Sequence, residues 1–450
     1  MIAIPNNRSS RPLVLLSTLL TFVLFAASCG GAADEATGSD TEIAVQTEEE
    51  TEVQTEDLAF AETDESDDEL TSQAATDTSQ GDAQDSDSSE SAEDTGGQES
   101  EDASDSSQGS PPTTAGSGLG PVNTIVSDPG GDPDNIYIGQ LGNLRPNEAL
   151  VQRAIAPPES SSSVLPLTGE TATVPNRPAA VVKIDNGSAA LPHQGLNAAD
   201  IVIEEEVEGG VTRFAAVFHS TSTIVGPVRS GRTTDIGLVG GLGTPLLMYS
   251  GANRITEGLL RNFSDIQNRS FESAPSGYWR ENGRSAPSNL FSDTAPHWAS
   301  ATGGPPPTQF HFRGADESAE GESVTEFSVS YPASTARWEW DGERWLRWQR
   351  GTEHMLVSGE QVDAVNVVVI EAERIATGMV DSSGGAVPEF FFVGTGNATV
   401  FTDGKRIDGT WTKPSINSVP TLTLSQGDPI ELTPGRTWMQ LVETGAGQLN

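Results

Sequence analysis

Between residues 30 and 110 the chain carries 27 aspartates and glutamates and not one lysine or arginine. Ser, Thr, Gln, Ala and Gly supply most of the remainder, and aromatics are nearly absent. Such a segment cannot bury enough apolar surface to offset the entropy of ordering it, and it is expected to stay disordered. It accounts for most of a formal net charge of −41. A flexible chain of ~100 residues spans roughly 50–60 Å r.m.s., and repulsion between like charges extends it further. The segment therefore reads as a spacer or as a solubilising tail. Acidity on this scale argues against a general nucleic-acid binder. No D-x-D-x-D-G loop supports a calcium tail.

What precedes the acidic segment suggests what it spaces. Arg8 and Arg11 form a basic start, an apolar run covers Leu13 to Ala27, and Ala26-Ala27-Ser28-Cys29-Gly30 follows. Small residues before a cysteine, after a short apolar run, read as an export signal with a lipid-attachment site. Residues 1–28 are expected to be a lipoprotein signal peptide. Cys29, the only cysteine in the chain, is the lipidated residue. The run is shorter than the roughly 20 residues that a membrane span prefers, which disfavours an uncleaved anchor. The expected location is the extracytoplasmic face of the cell membrane, with the lipid bilayer as first partner. A lone cysteine allows no internal disulfide, so the fold must rest on its core. Residues 29–160, acidic and then Pro/Gly/Ser-rich, are expected to form a disordered tether.

Two modules are expected beyond it, in an α+β fold: a mixed α/β module over residues 161–305 and a mostly β module over 322–445. "AAVVKI" (179–184) suits a buried strand. "DIVIEEEV" (200–207) and "VTRFAAVFH" (211–219) flank Gly209-Gly210 as a hairpin would. "TPLLMYSG" (244–251) is a further strand. "TTDIGLVGGLG" holds one short helix, and "SNLFSDTAPHWASA" (288–301) suggests a second, broken at Pro296. In the later module, "ARWEWDGERWLRW" (336–348) reads as two alternating strands around Asp341-Gly342, a pair suited to a two-residue turn. Asp403-Gly404 offers another such turn. Four tryptophans in eleven residues are expected to build a sheet core rather than a sugar-stacking platform.

Several stretches carry a resemblance: "RPAAVVKIDN", "AADIVIEEEVEGGVTRFAAVFHS", "IVGPVRSGR", "GYWRENGRSAPSNLFSD", "AVNVVVIEAE" and "GKRIDGTW…IELTPGRTW". In this order they resemble the signature stretches of the YerB-like family of bacterial lipoproteins, covering nearly all of residues 165–445. That family has an N-terminal and a C-terminal module, both domains of unknown function. The resemblance implies an exported, membrane-anchored protein with a mixed fold, and it implies no reaction. Relatives commonly read "GPVRSARP", whereas this chain has Gly231 and Thr233 in place of the Ala and Pro.

Those two positions create a phosphate-loop spacing in "GPVRSGRTT" (226–234). Arg232 stands where the loop needs lysine, and Pro227 removes a backbone N–H, so a nucleotide site is not expected. What remains is a turn carrying Arg229, Ser230 and Arg232. The two arginines either pair with the carboxylates of "EEEVE" (204–208) or grip an anionic ligand through bidentate hydrogen bonds. Glu204, Glu206 and Glu208 are expected to share one strand face, with Arg213 reaching them across the glycine turn. Arg229 is assigned to internal pairing, and Arg232 to a ligand at the start of the short helix. Asp185 and Asn186 end a strand, where catalytic carboxylates and loop caps both occur. Arg280, Arg284 and Asn289 belong to a loop-like segment that would complete a cleft.

The histidines (His193, His219, His297, His311, His354) are candidate bases. No H-x-H, H-E-x-x-H or G-x-S-x-G motif is present, so no metal and no cofactor are expected. Two functions follow. One is a non-catalytic module binding an anionic or sugar-containing envelope polymer, or a protein partner. The other is an envelope hydrolase or transferase using Asp185 or Glu204 with Arg229 and Arg232. An open cleft holding all of these favours the enzyme, and arginines buried against the glutamates favour the first.

Overall fold

The computed structural model describes residues 124–127, 136–139 and 146–450, apart from 315, 382 and 383. The export signal, Cys29 and the acidic segment lie outside the described residues. One long mixed sheet organises the fold. Its principal strands are β1 (Ala180–Asp185), β2 (Ile201–Glu206), β3 (Thr212–Phe218), β4 (Leu246–Met248), β5 (Asn366–Val380), β6 (Gly394–Thr402), β7 (Lys405–Lys413) and β8 (Thr437–Glu443). Their order is β7-β6-β5-β8-β2-β3-β1-β4, with Glu322–Ser323 beside β7 and Gln267–Asn268 beside β4. β8 runs parallel to both β5 and β2, while β2, β3 and β1 are successively antiparallel. The last strand of the C-terminal stretch is thus inserted beside a strand of the N-terminal stretch.

β1, β2 and β3 are buried along their whole length, which explains why their sequences read as apolar runs. On one face Val181, Ile203, Val217, Val368 and Leu441 pack under Ile236 and Val239 of helix α1 (Thr234–Val239). On the other, Val182, Val202, Phe214 and Val367 pack against Phe327, Trp338 and Trp345 of a second sheet. Trp338 and Trp345 are fully buried, Trp340 packs on Trp345 at 5.2 Å between ring centroids, and Trp348 lies under the Arg337 guanidinium. Trp338, Trp340 and Trp345 thus build the sheet core, and Trp348 lies on the opposite face, as the alternation suggested.

The turns divide. Asp403 and Gly404 both take positive φ, 52° and 66°, and close a two-residue loop between Thr402 and Lys405. The Asp341-Gly342 loop is longer than expected: Trp340 pairs with Trp345, leaving four residues between. Asp341 accounts for the difference, because its Oδ1 accepts from the N–H groups of Glu343 and Arg344, each at 2.8 Å. The 288–301 segment is a further correction. Leu290–Asp293 is a strand, paired with Tyr278–Arg280, and only Ala295–Trp298 is helical. Pro296 falls in the first turn, where its missing N–H costs no hydrogen bond.

The stretch before residue 160 also carries structure. Thr124–Ser127 pairs with Ile136–Gly139, and Glu148–Val151 forms a helical turn capped by Asn147. The Asn147 N–H donates to the Pro414 carbonyl at 3.0 Å, and His311 bonds the Ala156 carbonyl at 3.2 Å. The expectation of disorder up to residue 160 is corrected for these residues. No helix among the described residues is long and apolar enough to cross a membrane.

Candidate functional site

Charge collects where β1 and β2 end and β3 begins. Asp185 and Glu205 both sit opposite Arg213 in register. Beside them the chain makes the Arg229–Thr233 turn, pinned by main-chain bonds. Arg229 N–H donates to the Lys183 carbonyl at 2.9 Å, and Gly231 N–H to the Gly251 carbonyl at 3.0 Å.

The inner layer of this site is sealed. The Lys183 ammonium lies 2.5 Å from Glu205 and 2.6 Å from Asp235, all three fully buried. Burial alone would lower the lysine's pKa, but the two carboxylates outweigh it and hold it above its ordinary value. Burial also raises the Glu205 carboxyl, which Lys183 only partly offsets. Asp235 accepts the Arg232 N–H at 2.7 Å, so α1 is fastened to the turn from below.

The outer layer faces solvent at its rim. Arg232 meets Glu208 at 2.5 Å, with side chains 10% and 8% exposed. Arg229 stands 3.5 Å from Asp185, with its side chain 29% exposed. Asp185 also accepts from the Ser288 hydroxyl at 2.7 Å and the Gly187 N–H at 3.1 Å. Burial pushes the Asp185 carboxyl up. Ser288, Gly187, Arg229 and Arg213 more than offset this and leave it below the usual carboxylate value. Arg213 is buried between the two pairs and donates to the Ser230 carbonyl at 3.3 Å. Burial first, and the like charge of Arg232 next, lower its pKa to about 9. Three guanidiniums thus meet two carboxylates in this layer.

The structure brings together Asp185, Glu208, Arg213, Arg229, Ser230 and Arg232 from the expected set. Glu204 belongs elsewhere: it shares a face of β2 with Glu206, as expected, and the correction concerns Glu208, which lies past the strand. Side chains alternate along β2, so Glu204 points to the opposite face from Glu205. There it is clamped by both terminal contacts of Arg347 Nη2 at 2.9 and 3.0 Å, by Trp438 Nε1 and by Gln440 Nε2. Glu206 pairs with Arg374 at 2.8 Å, and Glu208 lies past the strand, in the Glu208–Gly210 turn.

Asn186 joins the Glu204 network through Thr212 at 2.6 Å and Gln349 at 2.7 Å. His193 and His354 belong to it too. His193 Nε2 donates to the Asp185 carbonyl at 2.6 Å, its Nδ1 contacts His354 Nε2 at 2.7 Å, and Arg347 donates to His354 Nδ1 at 2.7 Å. Burial holds His193 down to about 4 and His354 well below its ordinary value, so both are neutral. Arg280 donates to Asn289 at 2.7 Å on the neighbouring hairpin, and this pair does not enter the arginine cluster's contacts. Arg284 is spent on the carbonyls of Ala190 and Pro192.

Lys183, Asp235, Ser288 and Arg347 were not singled out in the sequence. Lys183 inside "AVVKI" was the one visible signal, since a lysine in an otherwise apolar buried strand requires a buried partner.

The fold and its charged strand ends define a mixed α+β protein with a buried ion-pair cluster at one end of its sheet. The family model "Protein of unknown function (DUF3048) N-terminal domain" matches residues 167–304, and the model for its C-terminal domain matches residues 325–439. The chain belongs to this YerB-like family. Among curated relatives, "Putative lipoprotein YerB" of Bacillus subtilis (strain 168) is 25% identical over 307 residues, covering 65% of this chain and 89% of the relative. The crystal structure of the YerB protein from Bacillus subtilis matches with a TM-score of 0.55 at 23% identity, over 64% of this chain and 98% of that one. The likeness bears out the mixed, mostly stranded α+β fold.

Proposed function

We propose that this chain is a membrane-anchored extracytoplasmic lipoprotein, attached through Cys29, that binds an anionic group of an envelope polymer or of a protein partner. The observation that carries the binding role is the outer layer of the strand-end site. There Arg213, Arg229 and Arg232 outnumber Asp185 and Glu208, and Arg229 reaches the surface. A cluster with one guanidinium in excess, the buried Arg213, that opens to solvent at Arg229 is a recognition element for carboxylates and phosphates. The name of the Bacillus subtilis relative and the small-residue stretch before Cys29 support the anchor. The catalytic alternative loses one of its acids, since Glu204 is fully buried against Arg347 on the other face of the sheet.

The anchor is tested by Cys29→Ser. The variant is expected in the soluble fraction, or retained with its signal uncleaved. A variant that is still processed and still sediments with membranes overturns the assignment.

A further inference from the structure

We infer that the strand-end site takes a phosphoryl group carried on a polyol or sugar, as in a phosphate ester of an envelope polymer. The inference rests on the anionic-ligand reading above and narrows it. The first argument is the direction of the donors. Arg213 comes from β3, and Arg229 and Arg232 from the turn beside it, so the guanidiniums approach from different elements. A planar carboxylate is satisfied by one guanidinium, edge to edge. Three neighbouring guanidiniums, with Arg213 close enough to feel the charge of both others, suit a group with three acceptor oxygens and more than one negative charge.

The second argument is what the folded chain leaves unused. Arg232 Nε and the Thr233 hydroxyl are buried and have no hydrogen-bond partner, and Arg229 Nε has only its long ion-pair contact with Asp185 at 3.5 Å. Thr233 is 1% exposed and Arg232 8% exposed. A buried donor without a partner costs about 1–3 kcal/mol, so two of them side by side in one turn mark a place where acceptors are missing. Glu208 Oε1 is likewise buried and unpartnered. It is an acceptor among donors, and a ligand hydroxyl next to the phosphate satisfies it. Inorganic phosphate has only its own P–OH to offer there, without the further hydroxyls of a polyol. Burial is the larger cause of the lowered Arg213, and the repulsion from Arg232 and Arg229 that adds to it is relieved when a dianion enters.

The test uses the full-length protein in detergent. Inorganic phosphate, glycerol 3-phosphate and glucuronate are titrated at constant ionic strength, with calorimetry and melting temperature as readouts. Glycerol 3-phosphate is expected to bind at least tenfold more tightly than glucuronate and to raise the melting temperature, with inorganic phosphate between. Arg229→Gln, at the rim, is expected to keep the fold and weaken binding about tenfold, and Arg213→Lys to weaken it while keeping the charge. Equal affinity for glucuronate and glycerol 3-phosphate overturns the phosphoryl assignment and leaves the anionic reading standing. Response to neither overturns both. Binding unchanged in both variants puts the phosphate elsewhere and also overturns the inference. A soluble glycerophosphate oligomer ending in a phosphomonoester and phosphatidylinositol 4-phosphate vesicles then separate the sources. Arginine-dependent binding to either supports the site, and the arm that responds identifies a polymer or a lipid headgroup.

Discussion

Lys413 shows how one side chain ties distant parts of the sequence together. It ends β7, is fully buried, and donates to the Gly237 carbonyl of α1 at 2.5 Å, with the Phe392 ring 5.1 Å away. Burial lowers its pKa to about 7 from an ordinary 10.5, and no carboxylate stands by to restore it. Between those values the unfolded chain holds a proton that the folded chain has released, so stability rises with pH. The expected slope between pH 7 and 9 is up to about 1.4 kcal/mol per pH unit. Urea denaturation across that range checks it, and Lys413→Met should remove the slope. An unchanged slope in the variant would assign it to another group. The sequence marks Lys413 only as a residue next to Pro414. Its burial follows from α1 packing over β7, a contact across more than 170 residues that no local pattern encodes.

At the level of elements, the Arg229–Thr233 turn pairs both arginines with carboxylates and sets Arg232 deeper than Arg229. The sequence placed Arg229 inside and Arg232 at a ligand, because Arg229 follows the proline and Arg232 precedes a helix. In the structure Arg232 is the more buried, and its N–H is taken by Asp235. Helix α1 spans only six residues, Thr234–Val239, so the anion-binding role imagined for its start has little basis. Glu208 explains the depth of Arg232: the Glu208–Gly210 turn carries it off β2 and over Arg232, which register alone did not reveal. Arg232→Ala leaves Glu208 buried without its partner and is expected to cost about 3–5 kcal/mol. Arg229→Ala removes a half-exposed pair at 3.5 Å and is expected to cost no more than about 1 kcal/mol. Urea midpoints of the two variants measure the difference, and equal losses would refute the assignment of distinct roles. The strands themselves were legible, since apolar runs buried on both faces need no tertiary information. Which acid meets which arginine depended on turns, and turns were the weaker signal.

The two family-matched stretches share one sheet, and this bears on how the whole molecule folds. β8 comes from the last residues of the chain, yet it lies between β5 and β2 and bonds in parallel to both. Its Trp438, Met439, Leu441 and Val442 are buried, and Trp438 reaches across to Glu204. Burying such a side chain contributes about 1.5–3 kcal/mol, so this strand supplies a share of stability comparable to the whole margin of a typical domain. Without it, β2 presents an open edge flanked by Ile201 and Ile203, a template for aggregation. The sequence suggested separate modules because its reading turns from mixed α/β to mostly β by residue 322 and because parallel neighbours far apart in the chain leave no hairpin signature. A chain ending at residue 424 is therefore expected to lose cooperative melting and near-ultraviolet ellipticity, and to aggregate. Residues 1–321 and 322–450, produced together as separate chains, are expected to copurify as a complex with the melting transition of the intact protein. Should residues 1–321 alone give a sharp transition and dispersed amide signals, β8 would be an accessory to the first half rather than part of its core.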